Sequence, residues 1–248
     1  HDDSKIRQRF FEVQDSDRLM AVTTLLNHYR PVSTLAFCNT KARCKDLVEL
    51  LTAAGFSAQA LHGELEQRDR DQVLVQFANR SCSVLVATDV AARGLDIAQL
   101  QAVINVDVTP EPELHIHRIG RTGRADNEGL ALSLASAKEM GRVNRLEDEQ
   151  GRPVEWADIT ALKPASDEPL GPPMATIQIQ VERKEKIRAS DVLGALTNNG
   201  GIAGDKVGKI TIAAFSTYVA VQRDVAKAAL KHLSAAKIKG KTVRVRLL

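Results

Sequence analysis

Aromatic side chains are scarce: one tryptophan, two tyrosines and six phenylalanines make up 4% of 248 residues. That leaves little for a recognition surface that works by stacking rings. The three cysteines, Cys38, Cys44 and Cys82, are too few for a disulfide framework, and none sits in a Cys-x-x-Cys pair. They read as free thiols in a reducing compartment, so a cytoplasmic location is expected. No apolar run approaches the roughly 20 residues of a membrane span. No basic-then-apolar leader opens the sequence, so secretion is not expected. His1-Asp2-Asp3-Ser4 reads as the cut end of a longer chain. On a helix His115 and His117 would lie nearly opposite one another, so no shared metal is expected. A Gly-x-x-x-x-Gly-Lys-Ser/Thr loop is also missing. The stretch Gly204 to Ile210 imitates its end, but the glycine spacing is wrong and Ile210 has no hydroxyl for magnesium.

The charge is unevenly spread. Residues 175–248 hold 14 Lys+Arg against 5 Asp+Glu, whereas residues 1–174 hold 20 against 26. Such segregation points to a polyanion as the partner of the C-terminal part. Four of the eight prolines fall between Lys163 and Met174, a stretch without apolar period that reads as a semi-rigid linker. The expected organisation is therefore a domain over 1–162, a linker over 163–174 and a second domain over 175–248.

Short apolar runs alternate with helical patterns in the first part. Strands are expected at Thr34–Cys38, Ser57–Leu61, Ser83–Ala87, Ala102–Val106 and Ala131–Leu134. Helices are expected at Asp17–Tyr29, after the cap Thr40, and at Gln67–Phe77. Alternation of this kind implies an α/β fold, a parallel sheet with helices on both faces, whose ligands gather at the carboxyl ends of the strands. His62-Gly63 and Thr88-Asp89 each follow one such strand.

Two polar motifs carry chemistry. Thr88-Asp-Val-Ala-Ala-Arg93-Gly94-Leu-Asp96 puts a hydroxyl, a guanidinium, a glycine amide and a carboxylate close together, a set suited to phosphate and ribose. His117-Arg118-Ile-Gly-Arg121-Thr-Gly-Arg124 repeats arginine every third residue. A row of planar, permanently charged forks can grip a phosphoryl group in transfer. A weaker element is Gln67-x-x-Arg70, whose arginine can reach a nucleic-acid backbone.

The C-terminal part reads strand, helix, strand, strand, helix, strand: Thr176–Val181, a helix from Ser190, Lys209–Ala213, Thr217–Gln222, a helix from Asp224, and Thr242–Leu247. This is the ferredoxin-like order of RNA-recognition folds. With Ile177, Ile179, Val219 and Val221 in the core, Gln178, Gln180, Tyr218, Gln222, Arg244 and Arg246 should face outward. Basic residues crowd the loops: Arg183, Lys184, Lys186 and Arg188, then Lys206 and Lys209, then Lys237, Lys239 and Lys241. Such loops suit a structured RNA gripped by backbone and shape.

On Phe37-Cys-Asn-Thr40, the Gln67 to Arg70 element, Thr88 to Ile97 and His117 to Arg124, residues 1 to about 150 resemble the second RecA-like domain of DEAD-box RNA helicases. The stretches Ile187–Asp191, Val207–Thr211, Thr217–Val221 and Lys237–Lys241 resemble the RNA-binding domain of the bacterial DbpA subgroup of that family. The resemblance implies a C-terminal half of an ATP-dependent enzyme. It implies RNA contacts from Gly63, Arg70, Thr88, Arg93 and Gly94, and nucleotide contacts from Gly94 and Asp96. Arg121 and Arg124 would be arginine fingers, with Arg118 and His117 tying them to the site. Arg244, Arg246 and the loop lysines and arginines would bind RNA, with a hairpin of large-subunit ribosomal RNA and ribosome assembly as the subgroup's business. ATP and Mg2+ would enter with an amino-terminal RecA-like domain, absent here along with any Asp-Glu-Ala-Asp segment; no tightly bound cofactor and no membrane partner are expected of this chain. The alternative is an ATP-independent RNA-binding or chaperone module.

Overall fold

The computed structural model describes residues 5–97, 99–123, 128–181 and 183–248. Two compact units emerge. The first runs to Glu64 and resumes over Ser83–Gly171; the second joins Leu65–Cys82 to Pro172–Leu248.

In chain order the first part reads β1 (Ile6–Glu12), α1 (Arg18–Tyr29), β2 (Thr34–Phe37), α2 (Lys41–Ala53), β3 (Ala58–Leu61), α3 (Gln67–Ala78), β4 (Val84–Ala87), α4 (Asp89–Ala92), β5 (Ala102–Asn105), α5 (Pro112–Ile119), β6 (Gly129–Ala135), α6 (Met140–Gln150) and β7 (Trp156–Ala157). All seven strands are parallel, in the order β3-β4-β2-β5-β6-β1-β7. Central strands β2, β4 and β5 are buried along their whole length. Apolar residues on both faces of the sheet leave helices on each side as the way to exclude water. One core joins Phe11, Val22, Leu25, Leu26, Leu47, Leu51, Val86 and Ile104; a second, smaller one joins Phe10, Val108, Val143 and Leu146. Thr40 caps α2 by accepting from the Arg43 amide, as its position before the apolar pattern predicts.

The segment read as a linker is not loose over its first part. The Lys163 carbonyl lies 2.7 Å from His28 Nδ1, the Ala165 amide donates to the Asn27 carbonyl, and Arg30 donates to the Glu168 carbonyl. Leu170 joins the larger core. The prolines stiffen a strap that the apolar Leu170 pins down.

The second unit contains β8 (Met174–Ile179), α7 (Ala189–Thr197), β9 (Val207–Ile212), β10 (Thr217–Gln222), α8 (Ala226–Ala235), β11 (Lys237–Ile238), β12 (Lys241–Thr242) and β13 (Val245–Leu247). Its antiparallel sheet has the order β13-β8-β10-β9, the ferredoxin-like arrangement expected. Ile177, Ile179, Val219 and Val221 pack with Val192, Leu196, Ala229 and Leu233 of the two helices α7 and α8. The strand expected over 242–247 is broken. Its first residue, Thr242, instead joins a small hairpin, β11 with β12, around Lys239 and Gly240. Both turn residues have positive φ, 51° and 78°, which a two-residue hairpin loop of the mirror-image type requires.

Two outward assignments are overturned. Tyr218 and Gln178 are 1% and 6% exposed. Alternation put them correctly on the face opposite the core. It gives no sign that α3, from a distant part of the sequence, lies over that face.

Candidate functional site

In the first unit the site grows from the carboxyl ends of β2, β4 and β5, which lie side by side. Two residues past each strand end stands a polar side chain: Asn39 after β2, Asp89 after β4 and Asp107 after β5. Arg118, from the last turn of α5, gathers all three. Its Nε and Nη2 donate to the two oxygens of Asp89, both at 2.8 Å. Nη2 also donates to Asn39 Oδ1 at 2.9 Å, and Nη1 to the Asp107 carbonyl at 2.8 Å. The guanidinium carbon lies 5.1 Å from the centre of the Phe37 ring. Arg118 is 1% exposed. Four of the five N–H groups of its fork are on these partners, and they position the strand ends. The structure thus places this catalytic candidate below the surface, bound to the strand ends.

A second buried guanidinium works beside it. Arg18 of α1 donates to the carbonyls of Val106 and Leu134 and pairs with Asp15 and Glu139. Burial opposes its charge, but its hydrogen bonds to Asp15 and Glu139, with the charges of Glu139 and Asp107, more than offset this and raise its pKa. Asp107 lies between the two arginines, accepting from the Asn39 amide at 2.9 Å and 3.7 Å from Arg18 Nη1. Sequence reading missed Arg18, Asp107 and Glu139. Only Glu139 left a signal there: Ser136-x-x-Glu139 has capping-box spacing, and Glu139 Oε1 accepts from the Ser136 amide at 3.0 Å.

Arg121 stands just past the end of α5, where the chain turns. The turn is fixed by the Leu100 amide donating to the Arg121 carbonyl and by a hydrogen bond from the Thr122 hydroxyl to the Leu100 carbonyl. Gly123, at φ +69°, is required twice over: a Cβ there would lie 2.7 Å from Ile6 Cγ1. The Arg121 guanidinium donates to the carbonyls of Leu95, Ile97 and Ala92, at 2.6, 3.4 and 3.5 Å. These are the carbonyls of the loop that also carries Arg93, Gly94 and Asp96. Two motifs some thirty residues apart in sequence thus meet through one side chain.

The remaining candidates divide. Thr88 is half-buried and caps the short α4 by accepting from the Ala91 amide at 3.3 Å. Arg93, Gly94, Asp96, Gly63 and His117 are exposed. Gly94 adopts φ +77°, with nothing near its missing side chain. Arg124 lies outside the described residues. Arg70 belongs to α3 and hence to the second unit. His115, two residues from His117, is buried and stacks on Phe10 with ring centres 5.9 Å apart. Burial, with help from the nearby Arg118 charge, lowers its pKa to about 4.

In the second unit the basic loops come together in part. Lys239 Nζ donates to the Lys186 carbonyl at 2.6 Å, joining the loop after β8 to the β11–β12 hairpin. A cleft of about 520 Å³ opens there, lined among others by Ile187, Ile238, Lys239, Lys241 and Arg244. Arg183 donates to the Ile212 carbonyl and the Arg188 amide to Asp191. Lys184, Lys209 and Lys237 sit on the same loops or the strand beside them. Lys206 and Arg246 also meet side chains of the protein, Lys206 those of Gln222 and Asp224, and Arg246 those of Gln178 and Gln72. Pairwise sequence spacing does not show these polar neighbours.

Comparison with known proteins bears on both units. Residues 17–126 match the helicase conserved C-terminal domain, and residues 176–247 match the DbpA RNA-binding domain. The chain is 47% identical over 98% of its length to the ATP-dependent RNA helicase DbpA of Escherichia coli, covering 53% of that protein. It is 30% identical to the Bacillus subtilis helicase of the same name, over 97% of this chain and 54% of the relative. It therefore spans about half the length of these relatives. The solved structure of the E. coli DEAD-box protein SrmB, bound to regulator of ribonuclease activity A, superposes with a TM-score of 0.60 at 31% identity. That match covers 66% of this chain and 97% of the other. On the paired family matches, the parallel sheet and the arginine-bearing turn, the chain belongs to the DEAD-box RNA helicases, as a C-terminal RecA-like and RNA-binding portion of the DbpA kind.

Proposed function

We propose that this chain is the C-terminal half of an ATP-dependent RNA helicase that separates short duplexes in large-subunit ribosomal RNA during ribosome assembly in the cytoplasm. The observation that carries the reading is Arg121. Its half-buried guanidinium touches three main-chain carbonyls, which accept its hydrogen bonds without cancelling its charge. Such a fork fits an anionic phosphoryl oxygen, and moving onto one requires leaving only neutral acceptors. ATP supplies the phosphoryl group, with Mg2+ held by an amino-terminal lobe. This chain contributes the charge that meets it, from Arg121 and Arg124, with Gly94 and Asp96 toward the nucleotide. Arg118 holds Asp89, Asn39 and the end of β5 in place so that the adjoining loops present Thr88, Arg93 and Gly94 to one RNA strand, with Gly63 in the same unit; Arg70, in the second unit, is a further RNA contact. His117, exposed on α5, would tie Arg121 and Arg124 to the rest of the site. The tail holds a ribosomal hairpin through Arg183, Lys184, Lys186, Arg188, Lys209, Lys237, Lys239, Lys241 and Arg244, keeping neighbouring helices within reach. The organisation is a RecA-like domain over 1–162, a connector over 163–174 and the RNA-binding domain over 175–248.

The test supplies an amino-terminal RecA-like lobe, in cis or in trans, and measures ATP hydrolysis with and without RNA. Arg121→Ala should lower the RNA-stimulated rate on the order of a thousandfold, while this chain by itself hydrolyses no ATP at a useful rate. RNA-stimulated turnover that survives Arg121→Ala would refute the reading. An ATP-independent binding module would instead show tail-dependent RNA affinity and no turnover with any lobe.

A further inference from the structure

The outer face of the tail sheet is the surface on which an RNA-recognition fold ordinarily stacks bases. Here it is closed. Thr176, Gln178, Tyr218 and Ala220 all point away from the tail's own core, yet their exposures are 0%, 6%, 1% and 1%. A four-stranded sheet with helices on one side only would leave such residues in water.

What covers them is α3 and the turn after it. Asn79 Nδ2 donates to Thr176 Oγ1 at 3.1 Å, and the Ser81 and Thr176 hydroxyls share a hydrogen bond of 2.6 Å. Arg246 donates to Gln178 Oε1 at 2.8 Å and reaches Gln72 of α3 at 3.5 Å. The Arg68 guanidinium stands 5.1 Å from the centre of the Phe215 ring. The Met174 amide donates to the Arg80 carbonyl, which extends the attachment to the start of β8. Burial raises the Tyr218 pKa, and Asp71 of α3 adds to the effect. Contacts of three kinds therefore run the length of the helix. Each is matched in chemistry: amide to hydroxyl, guanidinium to amide oxygen, guanidinium to ring.

We propose that the outer face of the tail sheet is a seat for α3, so that Arg68 and Arg70 ride on the tail domain and RNA is excluded from that face. Tyr218 is then a packing residue under α3 and takes no part in stacking on a base. Thr176, Gln178, Phe215 and Arg246 are positioning residues for the helix. RNA is left the basic loops at the sheet's ends and the exposed side of α3 itself. The second of these depends on the proposed function, because it takes Arg70 as an RNA contact; the seat does not.

The experiment is amide hydrogen exchange on this whole chain, free and saturated with a fluorescently labelled RNA hairpin carrying a single-stranded extension. In the free chain, Thr176→Arg should accelerate exchange across residues 67–78 by tenfold or more while β8 and β10 stay protected. If Thr176→Arg does not fold, the pair Arg68→Ala with Asn79→Ala gives the same readout, with a smaller acceleration expected. Unchanged protection of α3 in these variants overturns the seat, whether or not RNA binds. With the hairpin bound, α3 should keep its protection, and Tyr218→Leu should leave hairpin affinity within about twofold. Faster exchange of α3 in the complex, or a tenfold loss of affinity in Tyr218→Leu, would show RNA displacing the helix and overturn the exclusion.

Discussion

Replacing Arg118 by alanine tests the account of the site most directly. Four hydrogen bonds converge on this guanidinium, two of them a matched pair to Asp89. Its side chain is 1% exposed and that of Asp89 is 21% exposed. Removing one partner of a buried ion pair costs about 3–5 kcal/mol, because the other charge is left desolvated and alone. The partial exposure of Asp89 puts the expectation at the lower end, about 3 kcal/mol. The orphaned Asn39 side chain and Asp107 carbonyl push it back up by some part of the roughly 1–3 kcal/mol an unmet buried polar group costs. For a domain of this size a loss of that order lowers Tm by about 6–20 °C. The assay is urea or thermal unfolding followed by a probe confined to the first unit, such as Trp156 fluorescence, because two units need not melt as one. Arg118→Lys should recover only part of the loss, since an ammonium cannot offer two parallel donors to Asp89. A folded Arg118→Ala variant within 1 kcal/mol of the parent would refute the clasp.

Other outcomes follow from the same structure. His115 is neutral when folded, with a pKa of about 4, but binds a proton near pH 6.5 when unfolded. Its contribution is whole above pH 6.5 and is lost as pH falls toward 4. The gap corresponds to about 3 kcal/mol, and His115→Gln should flatten the stability profile across that window; an unaltered profile contradicts the assignment. The Cys38 thiol is pushed up by its hydrogen bond to Cys44 and by burial, and all three cysteines are buried. Native protein should therefore react with a thiol reagent far more slowly than unfolded protein, and rapid native labelling would count against that packing. Binding of an RNA hairpin should weaken with salt by about 0.7–0.9 in log affinity per phosphate met. Triple replacement of Lys237, Lys239 and Lys241 by glutamine should reduce that slope by roughly one to three contacts, and an unchanged slope would take those loops out of the interface.

Much of the sheet was legible because its strands are short apolar runs. Val84–Ala87 and Ala102–Asn105 can only be buried on both faces, and their separation by helical patterns forces a parallel arrangement. β1 was not legible. In Ile-Arg-Gln-Arg-Phe-Phe-Glu the polar residues dominate, and only pairing with β6 explains why Phe10 and Phe11 vanish from solvent. The arginine row was visible as chemistry, but not as geometry. Spacing by three puts Arg118 and Arg121 on one side of an ideal helix. The helix stops at Ile119, so the first goes inward and the second joins a different loop. Arg18 gave no warning at all: a lone arginine at a helix start is ordinary, and only a distant Glu139 and two strand-end carbonyls make it a core residue. The same holds for Tyr218, whose cover comes from more than a hundred residues upstream.

The strands β2 to β5 are only four residues long. Ladders so brief hold their middles well and their last residues poorly. Arg118 and Arg18 act as two rivets driven through the rim where the backbone lattice gives out, and Asp107 is the plate between them. The shape of the loops above that rim is thus governed by side chains set below it. A descendant that kept every strand but lost a rivet would keep its architecture and forfeit its aim.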